Sequence, residues 1–175
     1  MDSKRQTFRV SIGKAAKWMT AAYFAVLLIF FGVSYLFGVY DNPTPESMAL
    51  DGSVAAILAA TTLWCYWLSP KLITIEGEEL VIGRRIGRKA IVLSDIIYIE
   101  KYDAMGRDIR ICGVGGVFGF TGWFKGKQGK YFAYVGDYHN TVMVATKRRR
   151  YLVSCDTPDE LVAEVSGRIG DRDSK

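Results

Sequence analysis

WMTAAYFAVLLIFFGVSYLFGVY, Trp18 to Tyr40, runs for 23 positions without a charged residue. A second uncharged run follows, SVAAILAATTLWCYWL from Ser53 to Leu68, and it extends back to Met48 with Asp51 at a membrane edge. An α-helix rises about 1.5 Å per residue, so roughly 20 apolar residues cross a hydrocarbon core ~30 Å thick. The first run is long enough alone, and the second needs its flanks. A buried helical hairpin in a soluble protein fits poorly, because a core helix still shows one polar stripe. A secretory signal fits poorly too, since its apolar region is about 7–15 residues, whereas this run is longer and a second apolar run follows it. Aromatic residues gather towards the run ends (Trp18, Tyr23, Tyr35, Tyr40, Trp64, Tyr66, Trp67). Amphipathic rings prefer that headgroup level. The pair predicts a transmembrane hairpin over 18–69, after a basic segment over 1–17.

Charge placement sets the expected orientation. Lys4, Arg5, Arg9, Lys14 and Lys17 precede the first run, and Lys71, Arg84, Arg85, Arg88 and Lys89 follow the second. Between the runs, Asp41 to Gly52 carries three acids and no basic residue. Basic loops stay cytoplasmic. The expectation is a multi-pass protein of the inner cell membrane with both termini in the cytoplasm. The formal net charge of +5 is spread along the chain, enough to favour an anionic leaflet at short range. Nucleic-acid binding is not expected, because no dense basic stripe or recognisable module is present. Cys65, Cys112 and Cys155 are widely spaced with no CxxC, and they read as small buried hydrophobes in a reducing compartment.

After Pro70 the chain turns strand-like. β-branched runs of 4–8 residues alternate with glycine or charged breaks at Leu72–Glu76, Leu80–Arg84, Arg88–Leu93, Ile96–Glu100, Tyr131–Val135, Thr141–Thr146 and Arg150–Cys155. That spacing argues an antiparallel sheet, sandwich or barrel rather than βαβ units. Then Asp156 or Thr157 can N-cap a helix with Pro158 in its first turn. Leu161, Val162, Val165 and Ile169 form one apolar stripe. Gly170 is the expected stop, leaving residues 171–175 as a frayed tail. The expected architecture is a membrane α-hairpin plus a mainly-β domain over 70–170, an antiparallel barrel of about seven strands capped by a C-terminal helix.

The stretch ITIEGEELVIGRRIGRKAIVLSDIIYIEKYD (Ile73 to Asp103) resembles the bacterial pleckstrin-homology (PH)-like membrane proteins. The matching positions are Ile91, Leu93, Ile96 and Ile99, with Ser94 and Asp95 as the turn. The ending, through Ser154, Pro158 and Leu161, is similar to a subgroup with a glycine-rich centre. These motifs are structural. The resemblance implies a PH-like domain on a two-helix anchor and supplies no catalytic residue.

The unusual part of this domain is Gly113 to Gly129, with seven glycines interleaved with Phe118, Phe120, Trp123 and Phe124. It lacks the GxxxxGK[ST] spacing, and no helical pattern follows Gly113-Val-Gly115-Gly116, so neither a P-loop nor a dinucleotide site is expected. Two readings stand. One is a long loop packing its aromatics on the barrel or the tether. The other is a wedge of Phe118, Phe120, Trp123 and Phe124 in the interface, with Lys125, Lys127 and Lys130 at lipid phosphates. The basic turns Arg84-Arg85 and Lys147-Arg148-Arg149 are either solvated or directed at a membrane or acidic partner. His139 is the only histidine, which excludes multi-histidine metal sites; a solvated turn residue is its plain reading. No catalysis, cofactor or metal is expected. The expected role is a membrane-anchored interaction module for a protein partner or homo-oligomer. Alternatives are binding of anionic phospholipid, or an accessory subunit of a transporter acting through Ala55, Ala56, Ala59 and Ala60.

Overall fold

The computed structural model describes residues 5–36, 44–103 and 105–173. Met1 to Lys4, the end of the first apolar run (Phe37 to Tyr40), the loop residues Asp41 to Pro43 and the tail residues Ser174 and Lys175 lie outside the described residues. The chain opens with a strand, β1 (Gln6–Arg9), inside the segment read as a basic tail. Two helices follow, α1 (Lys14–Leu36) and α2 (Pro45–Leu68), of 23 and 24 residues. Both are long and apolar enough to cross a membrane, with none of their most apolar windows buried in the protein. α2 starts well before Ser53. Thr44 caps it, its side chain accepting from the Ser47 N–H, and Pro45 takes the first turn, where a missing N–H costs nothing. Half-buried residues recur at helical spacing on each facing side (Thr20, Tyr23, Leu27 and Ser34; Asp51, Leu58, Thr62 and Cys65). Across this seam the Tyr23 hydroxyl bonds the Thr62 Oγ1 at 2.9 Å.

Nine strands follow: β2 (Pro70–Glu76), β3 (Glu79–Arg84), β4 (Arg88–Val92), β5 (Ile96–Lys101), β6 (Ile109–Gly115), β7 (Phe120–Gly126), β8 (Gly129–Val135), β9 (Thr141–Thr146) and β10 (Arg150–Ser154). α3 (Pro158–Asp173) ends the described chain. It runs past Gly170, so that glycine does not stop it. One sheet has the order β1-β2-β3-β4, the other β5-β9-β10-β8-β7-β6. Seven of the nine strands coincide with the β-branched runs. The other two, β6 and β7, correct the expected count of about seven.

The glycines explain why these two read as loop. Gly113 lies opposite Gly122, and each has positive φ, 124° and 147°. A Cβ on Gly113 would overlap the Thr121 carbonyl, and one on Gly122 the Cys112 carbonyl. The strands are paired so closely that only glycine fits, which hides them from a β-propensity reading.

The barrel was also expected to be wholly antiparallel. β8 and β10 instead run parallel. Gly136 to Asn140, which reads as a hairpin turn, crosses over the end of β10 to reach β9, and β10 returns between them. The Ser154 hydroxyl at that end accepts the Gly136 N–H at 2.8 Å.

Alternation along the strands makes two cores. Phe8, Ile73, Ile75, Leu80, Ile82 and Ile91 of the first sheet face Ile99, Val142, Val144, Tyr151 and Val153 of the second, with Leu161 and Val165 of α3 filling the side. The opposite face of the second sheet carries Phe124, Tyr131, Ala133, Met143 and Leu152 under Tyr102 and Met105. The Asp108 carboxylate holds that cover down, accepting from the Tyr102 and Tyr131 hydroxyls at 2.7 Å each. Burial and that carboxylate push both tyrosines well above the ordinary phenol range.

The anchor is joined to the domain by its own helix end. The last carbonyls of an α-helix have no intrahelical partner. Here Tyr66 O accepts from Ser69 N, Trp67 O from Ile86 N, Ser69 O from Arg85 N, and Leu68 O from the Thr121 hydroxyl. Phe118, at the tip of the β6–β7 turn, drives between the two helices. Its ring meets Tyr66 at 5.3 Å and Phe24 at 6.3 Å between centroids. Its N–H donates to the Thr20 hydroxyl at 3.0 Å, and its carbonyl accepts from Ser69 at 2.7 Å. Phe118 holds φ of 58°, a left-handed backbone that a side chain adopts only where surroundings enforce it.

Two predictions follow from this packing. Removing the ring with Phe118→Ala keeps the strained backbone and loses the wedge. It is expected to cost about 2 kcal/mol and to broaden the pulsed-EPR distance distribution between labels on Leu63 and Lys127. An unchanged distribution would mean the ring does not join the two parts. The second concerns Cys155, which is 1% exposed, its thiol pushed up to about 11, first by burial. The unfolded chain loses that proton near pH 9 while the folded one keeps it. The Cys155 contribution to stability is therefore constant below pH 9 and falls above it, at a slope of at most about 1.4 kcal/mol per pH unit. Thermal melts from pH 8 to 10 should show a steeper decline in the native chain than in Cys155→Ala, where the raised Tyr102 and Tyr131 hydroxyls leave a residual decline near pH 10.

Candidate functional site

β7 and β8 are extended, so successive side chains point to opposite sides. This divides the aromatic residues of the glycine-rich stretch. Phe124 is 5% exposed in the second core, stacked on Tyr131 at 5.9 Å. It is therefore not offered to lipid or partner. Phe120 packs edge-on against Tyr138 on the same side. Phe118 is the wedge between the helices. Of the four aromatics expected to act together, Trp123 alone stands on the other face.

On that face the structure assembles a ladder that begins at α2. Arg85 lies over the Tyr66 ring at 4.1 Å. Arg84 lies over Tyr134 at 5.9 Å. Tyr134, itself buried in the first core, meets the half-buried Phe132 at 4.8 Å, and Phe132 meets Trp123 edge-on at 5.3 Å. Arg149, from the β9–β10 turn, lies over Trp123 at 5.9 Å. Lys125 follows two residues beyond Trp123, opposite Lys130 of β8. These distances lie within the reach of cation–π attraction. Burial raises the Tyr134 hydroxyl above its ordinary range, with Arg84 and Arg149 opposing that shift. Beside the ladder, Lys89, Arg148 and Arg149 line a small polar cavity with Thr146, Asp95 and Tyr151. Lys147 sits in the same turn, its N–H on the Asp95 carbonyl. Lys127 is in the β7–β8 turn at the far end.

Among the described residues the arginines of this face form no ion pair. The ion pairs among the described residues are Arg5–Glu76, Lys101–Asp159 and Arg168–Glu164. Arg84, Arg85, Arg148 and Arg149 take part in none of them. The Arg84 Nε is buried and has no hydrogen-bond partner. A buried N–H of a cation left without an acceptor costs free energy. The arrangement suits a ligand that brings anionic oxygens to an arginine already stacked on a ring.

Phe132 and Tyr134 were read only as strand residues. They are the rungs that connect the basic turns, and their i, i+2 spacing beside Trp123 was the available signal. His139 is exposed, against the Tyr138 ring. Cys112 is exposed on β6, not buried as its residue type suggested, because β6 is the edge of its sheet. No group of three or more His, Cys, Asp or Glu positioned for a metal occurs among the described residues.

Comparison with known proteins agrees with this architecture. No curated protein and no solved structure matches the chain. The family model described as bacterial PH domain matches residues 71–169, a span that begins at β2 and ends within α3. With more than half its length in that match and two long apolar helices ahead of it, the chain belongs to the bacterial PH domain family.

Proposed function

We propose that this protein is a non-catalytic binding module anchored in the inner membrane by α1 and α2, with both termini and the PH-like domain in the cytoplasm. Its basic and aromatic face engages the anionic headgroups of the bilayer that holds it. The observation that carries this reading is the arginine ladder, which forms no ion pair among the described residues. It starts on the last turn of α2, where Trp18, Trp64 and Trp67 are exposed around the helix bases at the level aromatic side chains favour. Each basic residue near an anionic surface contributes about 1 kcal/mol.

A protein-partner reading rests on a different observation. Ala55, Ala56, Ala59 and Ala60 are all exposed on α2. Small residues let a second helix approach closely. In that reading the hairpin joins an oligomer or a transporter complex. Ala56→Leu with Ala59→Leu then removes the partner while leaving lipid binding intact.

The lipid reading is tested on the full chain in nanodiscs by native mass spectrometry. Anionic phosphatidylglycerol should be retained in preference to phosphatidylcholine. Arg84→Gln with Arg149→Gln should lower the preference by roughly 30-fold, two residues at about 1 kcal/mol each. Arg168→Gln, on α3 and already paired with Glu164, should leave it unchanged. Equal retention of both lipids would remove the proposal.

A further inference from the structure

A groove of about 820 Å³ lies away from the basic face. It lies between β1 and α3 and is lined by Gln6, Thr7, Phe8 and Arg9 on one side and by Asp156, Glu160 and Glu164 among others on the helix side. β1 is the edge of its sheet. Val10 N donates to Lys71 O, and in an antiparallel ladder residues alternate between bonding the partner and pointing away. With Phe8 opposite Ile73 and Gln6 opposite Ile75, Gln6 and Phe8 face β2. Thr7 and Arg9 turn their backbone groups into the groove. Asp156 N takes the Arg9 carbonyl. The Thr7 N–H, the Thr7 carbonyl and the Arg9 N–H have no backbone partner among the described residues. The Gln6 Oε1 is also buried without a hydrogen-bond donor.

The wall opposite this edge is acidic. Asp156 and Glu160 are outside the three ion pairs of the described residues, and Glu164 is paired with Arg168. Arg9 is the one basic residue in the lining. A strand with lysine or arginine on alternate residues matches both halves of the groove. Its backbone continues the sheet at Thr7 and Arg9, and its cations meet Asp156 and Glu160. The position narrows the source. β1 ends four residues before α1 begins, so a strand laid on it lies where chains leave the membrane. Cytoplasmic segments next to membrane helices are rich in lysine and arginine.

We propose that the β1–α3 groove binds an extended basic segment of a second membrane protein by adding it as a strand to the free edge of β1. This site is separate from the basic face and from the lipid reading. Such edges are otherwise a liability. The acidic wall selects which chain pairs there.

The test uses the full chain in phosphatidylcholine nanodiscs, with empty nanodiscs as the blank. The probe is a labelled, end-blocked octapeptide of alternating lysine and valine. It should bind, and amide exchange at Thr7 and Arg9 should slow. Glu160→Lys should weaken binding at least tenfold. Thr7→Pro removes an N–H that points away from β2, and Pro is tolerated on such an edge; it should abolish binding with the melting curve unchanged. An octapeptide N-methylated on alternate residues tests the same hydrogen bonds on the unaltered protein, so a misfolded Thr7→Pro chain would not blur the result. No binding, equal binding of a glutamate–valine octapeptide, or undiminished binding of the N-methylated peptide would each overturn the proposal.

Discussion

The end of α2 constrains everything that follows it. The last carbonyls of a helix have no intrahelical donor, and a domain packed on that end takes away the water that would otherwise satisfy them, so it must supply donors itself. In this chain the donors come from the β domain: the backbone of Arg85 and Ile86 in the β3–β4 turn, and the Thr121 hydroxyl in β7. Those donors lie 17 to 53 residues further along the chain. The helix is therefore finished only when the domain has folded against it. The Phe118 wedge adds the apolar half of the same joint, so the domain is fixed to its anchor rather than trailing from it.

That joint accounts for the sequence that looked least orderly. The turn from Gly116 to Gly119 must carry Phe118 at positive φ into the gap between two helices. Gly116 lies against Met19 of α1, where a Cβ would overlap the methionine side chain. Gly119 lies against the Val135 carbonyl. Behind the turn, Gly113 and Gly122 let β6 and β7 close up. The glycines are spent on proximity, to the helices at one end and between strands at the other.

The legible part of the fold was the part whose stabilisation is local in pattern. β-branched runs flanked by breaks announced β2 to β5 and β8 to β10, and the apolar stripe of Leu161, Val165 and Ile169 announced α3. β1 was not legible. Four residues, QTFR, contain one apolar side chain, and their partner β2 begins after both long apolar helices; only pairing over more than 60 residues makes them a strand. The crossover at Gly136 to Asn140 was hidden for a related reason, since turn chemistry marks where a strand ends but not which strand lies next to it. At the candidate site the residue types pointed the right way while their grouping did not. Phe124 and Trp123 are neighbours in sequence. Once Gly113 to Gly126 is seen to be strand, period-2 alternation puts one in a core and the other beside Arg149.

Rigid attachment changes what the exposed surfaces must supply. A soluble domain that seeks the membrane through its basic residues has to offset the loss of translational and rotational freedom, several kcal/mol or more. In a domain held by helices that sit in the bilayer, as proposed above, that cost is already met. Attractions of about 1 kcal/mol per basic residue then suffice to bias how the domain lies on the surface, although they would recruit little on their own. The same reasoning applies to β1. A short edge with three free backbone groups is a weak site for a dilute peptide. For a segment confined to the same membrane, the effective concentration is set by geometry rather than by abundance. In the two proposals selectivity would come from charges of opposite sign on separate faces of one small domain: a basic segment suited to Glu160 would be repelled from Arg84 and Arg149, and an anionic headgroup would be sorted the other way.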